Sequence, residues 1–220
     1  MTRSQFLIGL VVVAAVALGI GSWFVFTGSS SSDASASATP SVLLAKDDHA
    51  LGSPKAPITI IEYAAPMCPH CAHFDMNVFP EFKRQYIDSG KVYFVFRVFP
   101  LGAPDVAVEA MARCLPKESY FQFIDMMYRN QSQWDPDGYT IPDIHAALVH
   151  MGAIAGMTAD QVNTCIANPV VQQQIQQVGS DAQSRYGVYQ TPSFIIDGRL
   201  ENPATLEDMK AILDPELAKK

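Results

Sequence analysis

The chain is expected to fold as an α/β protein in two halves, a β-α-β unit and a β-β-α unit, with a block of helices between them. Three observations carry that expectation. A β-branched run, Pro57–Ala64, is followed by a helical period and then by a second apolar run, Lys91–Phe99. Residues 103–187 hold helical patterns with little interruption. The chain returns to strand only near its end, at Ser193–Asp197, where Asp197-Gly198 turns it back on itself. With 220 residues, 49% hydrophobic and 17% charged, it can bury one good core, and a second full domain would be crowded.

Ahead of that fold lies different material. Residues 1–5 carry Arg3, and Phe6–Phe26 follows without a charge. At about 1.5 Å per residue this stretch reaches about 30 Å, the thickness of a bilayer core. It is longer than the roughly 7 to 15 residues of a secretory signal core. A transmembrane anchor is therefore expected at 6–26, with 1–5 in the cytoplasm because the charge ahead of the span is positive. A cleaved signal is the alternative, since Ala34–Ala38 offers small-residue cleavage sites beyond the run. Either way the rest of the chain is expected outside the cytoplasm. Residues 27–41, rich in serine and alanine, are too polar and too small to bury anything and read as a flexible tether.

The folded part is expected to begin at Val42. Its first half, 42–102, contains Pro57–Ala64 as a buried strand running towards Cys68-Pro69-His70-Cys71. From Pro69 the period changes: Cys71, Phe74, Val78 and Phe82 recur at three- and four-residue intervals. A helix thus starts at the motif, bends at Pro80 and stops near Gly90. Lys91–Phe99 is the returning strand. Within the helical block, 103–187, helices are expected at 104–115, 117–130, 142–154, 158–167 and 169–186, with Thr158 and Gln161 as a capping box and Gln133–Gly138 as a loop. The second half, 188–220, supplies Ser193–Asp197, a strand through Arg199–Glu201, and a last helix from Thr205 towards Leu217 with Asp208 in a capping position. This order, with helices inserted between two halves, is that of a thioredoxin fold.

The chemistry centres on the C-x-x-C. A cysteine at a helix N-terminus meets unpaired backbone N–H groups and the positive end of the macrodipole, so its thiolate is favoured. Cys68 is so placed, whereas Cys71, one turn further in, points towards the core and suits a resolving thiol. Pro69 sits where its missing N–H costs least, and His70, protonated or donating a hydrogen bond, is expected to stabilise the neighbouring thiolate. Whatever stabilises the thiolate stabilises the reduced form over the disulfide, so the motif points to an oxidant. The net charge of −7 and the lack of a basic run argue against a nucleic-acid partner.

These residues resemble a known family. Cys-Pro-His-Cys after Ile61–Met67, Thr191–Phe194 entering a strand, and Leu51–Tyr63 ahead of the motif look like a DsbA-type thiol-disulfide oxidoreductase of the thioredoxin superfamily with a helical insertion. The likeness covers roughly residues 46–215. It implies Cys68 as the nucleophile and Cys71 as its buried partner. Thr191 and Pro192 would be a cis-proline dipeptide facing the disulfide, where the Thr191 backbone pairs with an extended substrate segment. Glu62, six residues before Cys68, matches the buried acid found beneath the cysteines in many thioredoxin-fold enzymes, with a proton-relay role. The implied partners are reduced or unfolded exported proteins and a quinone-linked membrane oxidase of the DsbB type, in the periplasm at the inner membrane. A monomer is expected, with no metal and no cofactor beyond the redox-active disulfide.

One residue departs from the oxidase pattern. Dedicated oxidases of the family often carry valine before the cis-proline, and threonine there, as at Thr191, is common in isomerases and broader relatives. Isomerases similar to this fold carry a separate dimerisation domain ahead of the catalytic one, where here only a tether and a short lead segment stand. An oxidase is the expectation, and an isomerase or reductase of the same fold the alternative.

Cys114 and Cys165 both fall in expected helices of the insertion, and an even cysteine count in an oxidising compartment favours a second disulfide between them over two separate buried thiols, with a structural role or an influence on the potential of the first pair both open at this point. From another class, Cys68, Cys71, His70 and His73, with Met67 and Met76 near, offer soft ligands for a copper or zinc carrier. A structural zinc site usually needs a second ligand pair, and no other C-x-x-C or H-x-x-H spacing is present. A purely structural Cys68–Cys71 bridge is the remaining alternative, and it would close almost no loop.

Overall fold

The computed structural model describes residues 43–220. The expected anchor at 6–26, the tether at 27–41 and residues 1–5 lie outside the described residues. No helix among the described residues is long and apolar enough to cross a membrane.

Five strands form one sheet in the order β1-β3-β2-β4-β5. They are β1 (His49–Leu51), β2 (Ile58–Ala64), β3 (Val92–Val98), β4 (Ser193–Ile196) and β5 (Arg199–Glu201). β2 and β3 run parallel, as a β-α-β crossover requires, while β4 pairs antiparallel with β2 and β5 antiparallel with β4. The β4–β5 turn is made by Asp197 and Gly198, both at positive φ, which is what a two-residue hairpin demands. β1 is the one strand the sequence pattern does not announce. It is three residues long and lies antiparallel on the edge of β3, paired through His49↔Phe96.

The helix after β2 is cut where proline dictates. α1 (Pro69–Asn77) ends before Val78, α2 (Phe79–Phe82) carries Pro80, and Lys83–Ile87 continue as a π-helical turn. Without an N–H, Pro80 cannot bond the carbonyl one turn back, and its ring crowds that carbonyl, so the expected bend becomes a break. The insertion contains α3 (Ala103–Cys114), α4 (Tyr120–Arg129), α5 (Gln131–Trp134), α6 (Ile144–Ile154), α7 (Ala159–Ile166) and α8 (Pro169–Tyr186). The expected helix at 117–130 starts as a 3-10 turn at Lys117–Ser119. After Asn130 leaves helical geometry, the chain winds once more as α5, whose last two residues, Gln133 and Trp134, fall in the stretch read as a loop. Trp134, fully buried and donating from its indole Nε1 to the Met127 carbonyl at 2.9 Å, fixes that extra turn. α8 stops at Gly187, whose left-handed backbone caps it, and α9 (Leu206–Leu217) starts from a Thr205/Asp208 capping box.

Alternation along β2 divides the core. Ile58, Ile60 and Ala64 face a large apolar cluster with Phe74, Phe82, Phe94, Phe194, Met209 and most of the insertion. Ile61 and Tyr63 face a smaller one with Val95, Ile195 and Ala182 of α8. Glu62 falls on the first face by the same period of two, flanked in register by Phe96 and Phe194. A carboxyl is thereby placed beneath α1.

Candidate active site

The site is assembled where β2 ends. Cys68 donates its backbone N–H to the Ala65 carbonyl at 3.0 Å and then becomes the N-cap of α1, with extended backbone and Pro69 in the first turn. Its Sγ lies 3.4 Å from the Cys71 N–H, one of the donors that a helix start leaves unpaired. Cys68 and Cys71 are free thiols, Cys71 without exposed surface and Cys68 with 5%. Both are buried, but Cys68 keeps a small exposed area at the helix start and Cys71 keeps none.

Their acidities diverge for that reason. The Cys68 thiol is lowered to about 5: the Cys71 thiol donates a hydrogen bond to it, and the Thr191 side chain and the backbone N–H groups of Cys71 and His70 add to this against the cost of burial. The Cys71 thiol is pushed well above its ordinary value, chiefly by burial, and further by its donated bond and the charges of Cys68 and Glu62. His70 contributes through its backbone N–H, and its imidazole is exposed. The peptide group of His70 thus bears on the sulfur directly. That follows from the residue's place in the first turn, where N–H groups converge on the cap and side chains splay outwards.

Thr191 and Pro192 meet the cysteines from the other half of the fold. Their peptide bond is cis, and the Thr191 carbonyl lies 3.4 Å from Cys68 Sγ. Tyr189, two residues before Thr191, is 76% exposed. Glu62 is buried at 5% exposure, and its carboxyl is raised well above the usual range by burial, then by the charges of Asp75 and Cys68. A cleft of about 450 Å³ lined by Glu62, Asp75, Phe96 and Asp125 joins that carboxyl to the outer face of α1 and α4. Asp75 is itself pushed up to about 7 by burial and by Asp125 beside it.

Two contributors escape sequence reasoning, and both come from the insertion. Asp105, fully buried near the start of α3, accepts the Met67 N–H on Oδ1 at 2.7 Å and the Leu101 and Gly102 N–H groups on Oδ2 at 2.8 and 3.2 Å. Gln131, the first residue of α5, donates from Nε2 to the Pro66 carbonyl at 2.8 Å and to the Cys68 carbonyl at 3.2 Å. In sequence, Asp105 reads only as an acidic residue in a first helical turn, and Gln131 carries no pattern at all.

Cys114 and Cys165 are joined by a disulfide that ties the end of α3 to α7 across 51 residues. His73 stands exposed on α1 with its ring against the Asn77 amide, and the described residues contain no cluster of three or more His, Cys, Asp or Glu able to hold a metal ion. The copper or zinc reading finds no support in this arrangement.

With this geometry in hand, likeness to known proteins becomes informative. The thioredoxin family profile matches residues 44–215. The crystal structure of Wolbachia pipientis alpha-DsbA1 superposes with a TM-score of 0.72 at 30% identity, covering 81% of this chain and 94% of that one. The chain belongs to the thioredoxin family, in its DsbA-like branch. A Bacillus cereus protein assigned as a disulfide bond formation protein D is 29% identical over 175 residues, 77% of this chain and 79% of its own length. A Rickettsia bellii protein assigned as a protein-disulfide oxidoreductase is 26% identical over 170 residues, which cover 77% of this chain. The match takes in 64% of the Rickettsia protein, so this DsbA-like chain aligns with less than two thirds of that relative.

Proposed function

We propose that this chain is an exported thiol-disulfide oxidoreductase that donates a Cys68–Cys71 disulfide to folding proteins. The observation that carries the reading is the unequal pair of sulfurs: Cys68 is acidic and keeps 5% exposure, and Cys71 is fully buried and less acidic than an ordinary thiol. A substrate thiolate attacks Cys68 Sγ, the Cys68–Cys71 bond breaks, and Cys71 leaves as a thiolate that takes up a proton. Glu62, neutral because it is buried, is the proposed donor, and the cleft to its carboxyl gives the route by which it is reprotonated. A second substrate thiolate then attacks the substrate sulfur of the mixed disulfide, and Cys68 departs as a stabilised thiolate. Two electrons pass from the substrate dithiol to the enzyme, and the substrate leaves with a new disulfide.

The backbone at Thr191, 3.4 Å from Cys68 Sγ, is the proposed strand against which the substrate segment pairs. Reoxidation is assigned to a quinone-linked membrane oxidase of the DsbB type. The uncharged stretch at 6–26 is assigned to holding the domain at the outer face of the inner membrane, in the periplasm. The test is oxidation of a reduced, unfolded substrate protein by the oxidised chain. Cys68→Ala should abolish transfer, and Cys71→Ala, first charged at Cys68 with oxidised glutathione, should exchange glutathione for substrate and accumulate enzyme–substrate mixed disulfides visible on a non-reducing gel. Transfer by Cys68→Ala at the original rate would overturn the assignment.

A further inference from the structure

The three residues that lead into the helix, Pro66, Met67 and Cys68, are held from outside the thioredoxin half. The Met67 N–H is taken by Asp105 Oδ1 at 2.7 Å, and the Pro66 and Cys68 carbonyls are bridged by Gln131 Nε2 at 2.8 and 3.2 Å. Both side chains are buried, Asp105 completely and Gln131 to 8% exposure, so these bonds are sheltered from competing water. Their anchors are firm. Asp105 also caps the turn at Leu101 and Gly102, and Gln131 opens a helical turn whose last residue, Trp134, is fully buried and donates to the carbonyl of Met127. The Cys68 carbonyl is shared between Gln131 and the Ala72 N–H, which is the first bond of α1.

We propose that Gln131 is a positioning residue for the disulfide exchange, one jaw of a clamp completed by Asp105, through which the helical insertion fixes the backbone of Cys68 and so aims its sulfur at the donors of the first helical turn. The inference rests on the oxidoreductase reading above. The physical reason is preorganisation. The N–H groups of His70 and Cys71 stabilise a negative sulfur only while the Cys68 backbone keeps the extended geometry of the cap, with ψ at 118°. A loose Pro66–Cys68 segment would let the sulfur sample positions away from those donors, and the thiolate would lose stabilisation. The surface side of the motif offers no such restraint, because Pro69 and His70 are exposed. The fold therefore uses the insertion as a structural support for the cysteine.

The experiment compares the intact chain with Gln131→Leu and Gln131→Met, which keep length or bulk and remove both donated bonds. Val162→Ala, a buried change in α7 of the same insertion, serves as a control for general destabilisation. Thiolate absorbance at 240 nm is followed against pH, and the equilibrium with glutathione is measured. Removal of the clamp should raise the Cys68 midpoint by about one unit and move the glutathione equilibrium about tenfold towards the disulfide, about 30 mV for this two-electron couple. Val162→Ala should lower the unfolding midpoint and leave both values in place. Unchanged values in a folded Gln131 variant, or equal shifts in Val162→Ala, would overturn the clamp while leaving the oxidoreductase reading intact. A wild-type sulfur that titrates like free cysteine would instead sink the oxidoreductase reading itself.

Discussion

Replacing Cys68 with serine removes one ionising sulfur and almost nothing else, and its cost in stability should depend on pH in a way set by the site. In the folded reduced protein the Cys68 thiol titrates at about 5, against an ordinary value of 9.0. Since the folded value is the lower one, the ionised sulfur stabilises the fold fully above the ordinary value, and that contribution is lost as the pH falls towards 5. At about 1.36 kcal/mol per unit, the two units between 5 and pH 7 correspond to about 2.7 kcal/mol. The sulfur lies at the surface end of the helix, where solvent screening trims this to about 2 kcal/mol. The assay is urea unfolding of reduced wild type and Cys68→Ser at pH 5.5, 7 and 8.5. The difference in unfolding free energy should widen by about 3 kcal/mol across that range. Cys71 titrates above its ordinary value in the fold and so leaves this window undisturbed. A difference that stays flat from pH 5.5 to 8.5 would refute the claim that the fold stabilises a thiolate at Cys68.

Glu62→Gln should raise stability at pH 7 in urea unfolding, because burial raises the folded carboxyl above its unfolded value, so ionisation of the unfolded chain weakens the fold as pH rises through the ordinary carboxylate range. The same variant should slow release of Cys71 in stopped-flow exchange, and an unaltered rate would remove Glu62 from the mechanism. Arg113→Ala strands the buried Glu109 carboxyl, which Arg113 meets at 2.6 Å and the Tyr120 hydroxyl at 2.7 Å. It should cost about 3 kcal/mol in unfolding free energy with substrate oxidation preserved. The double replacement Cys114→Ala with Cys165→Ala opens a loop of 51 residues, worth up to about 4 kcal/mol in the chain-entropy picture. Calorimetry should show a lower unfolding midpoint, and a loss under about 1 kcal/mol would count against a structural role.

The sequence by itself determined what depends on neighbours within a few residues. Pro69 after Cys68 starts α1 at the sulfur, Pro80 breaks the helix that follows, and Thr158 with Gln161 and Thr205 with Asp208 start α7 and α9. Asp197-Gly198 turns β4 into β5. Caps and turns are satisfied by bonds across two to four positions, so their signals sit together in the chain. The tertiary structure alone decided the environment of the sulfurs. Asp105 and Gln131 reach the motif from 38 and 65 positions away with nothing local to mark them, and Thr191, marked by family likeness rather than by its neighbours, reaches Cys68 from 123. Glu62 is legible as an acid in a strand, but its proton is held by burial between Phe96 and Phe194, a consequence of strand register. Likewise β1 and α5 are too short to show a period, and they exist because an edge of β3 and a buried Trp134 stabilise them. Local geometry can be written in a short stretch of chain, whereas desolvation and long-range hydrogen bonds arise only once distant stretches are packed together.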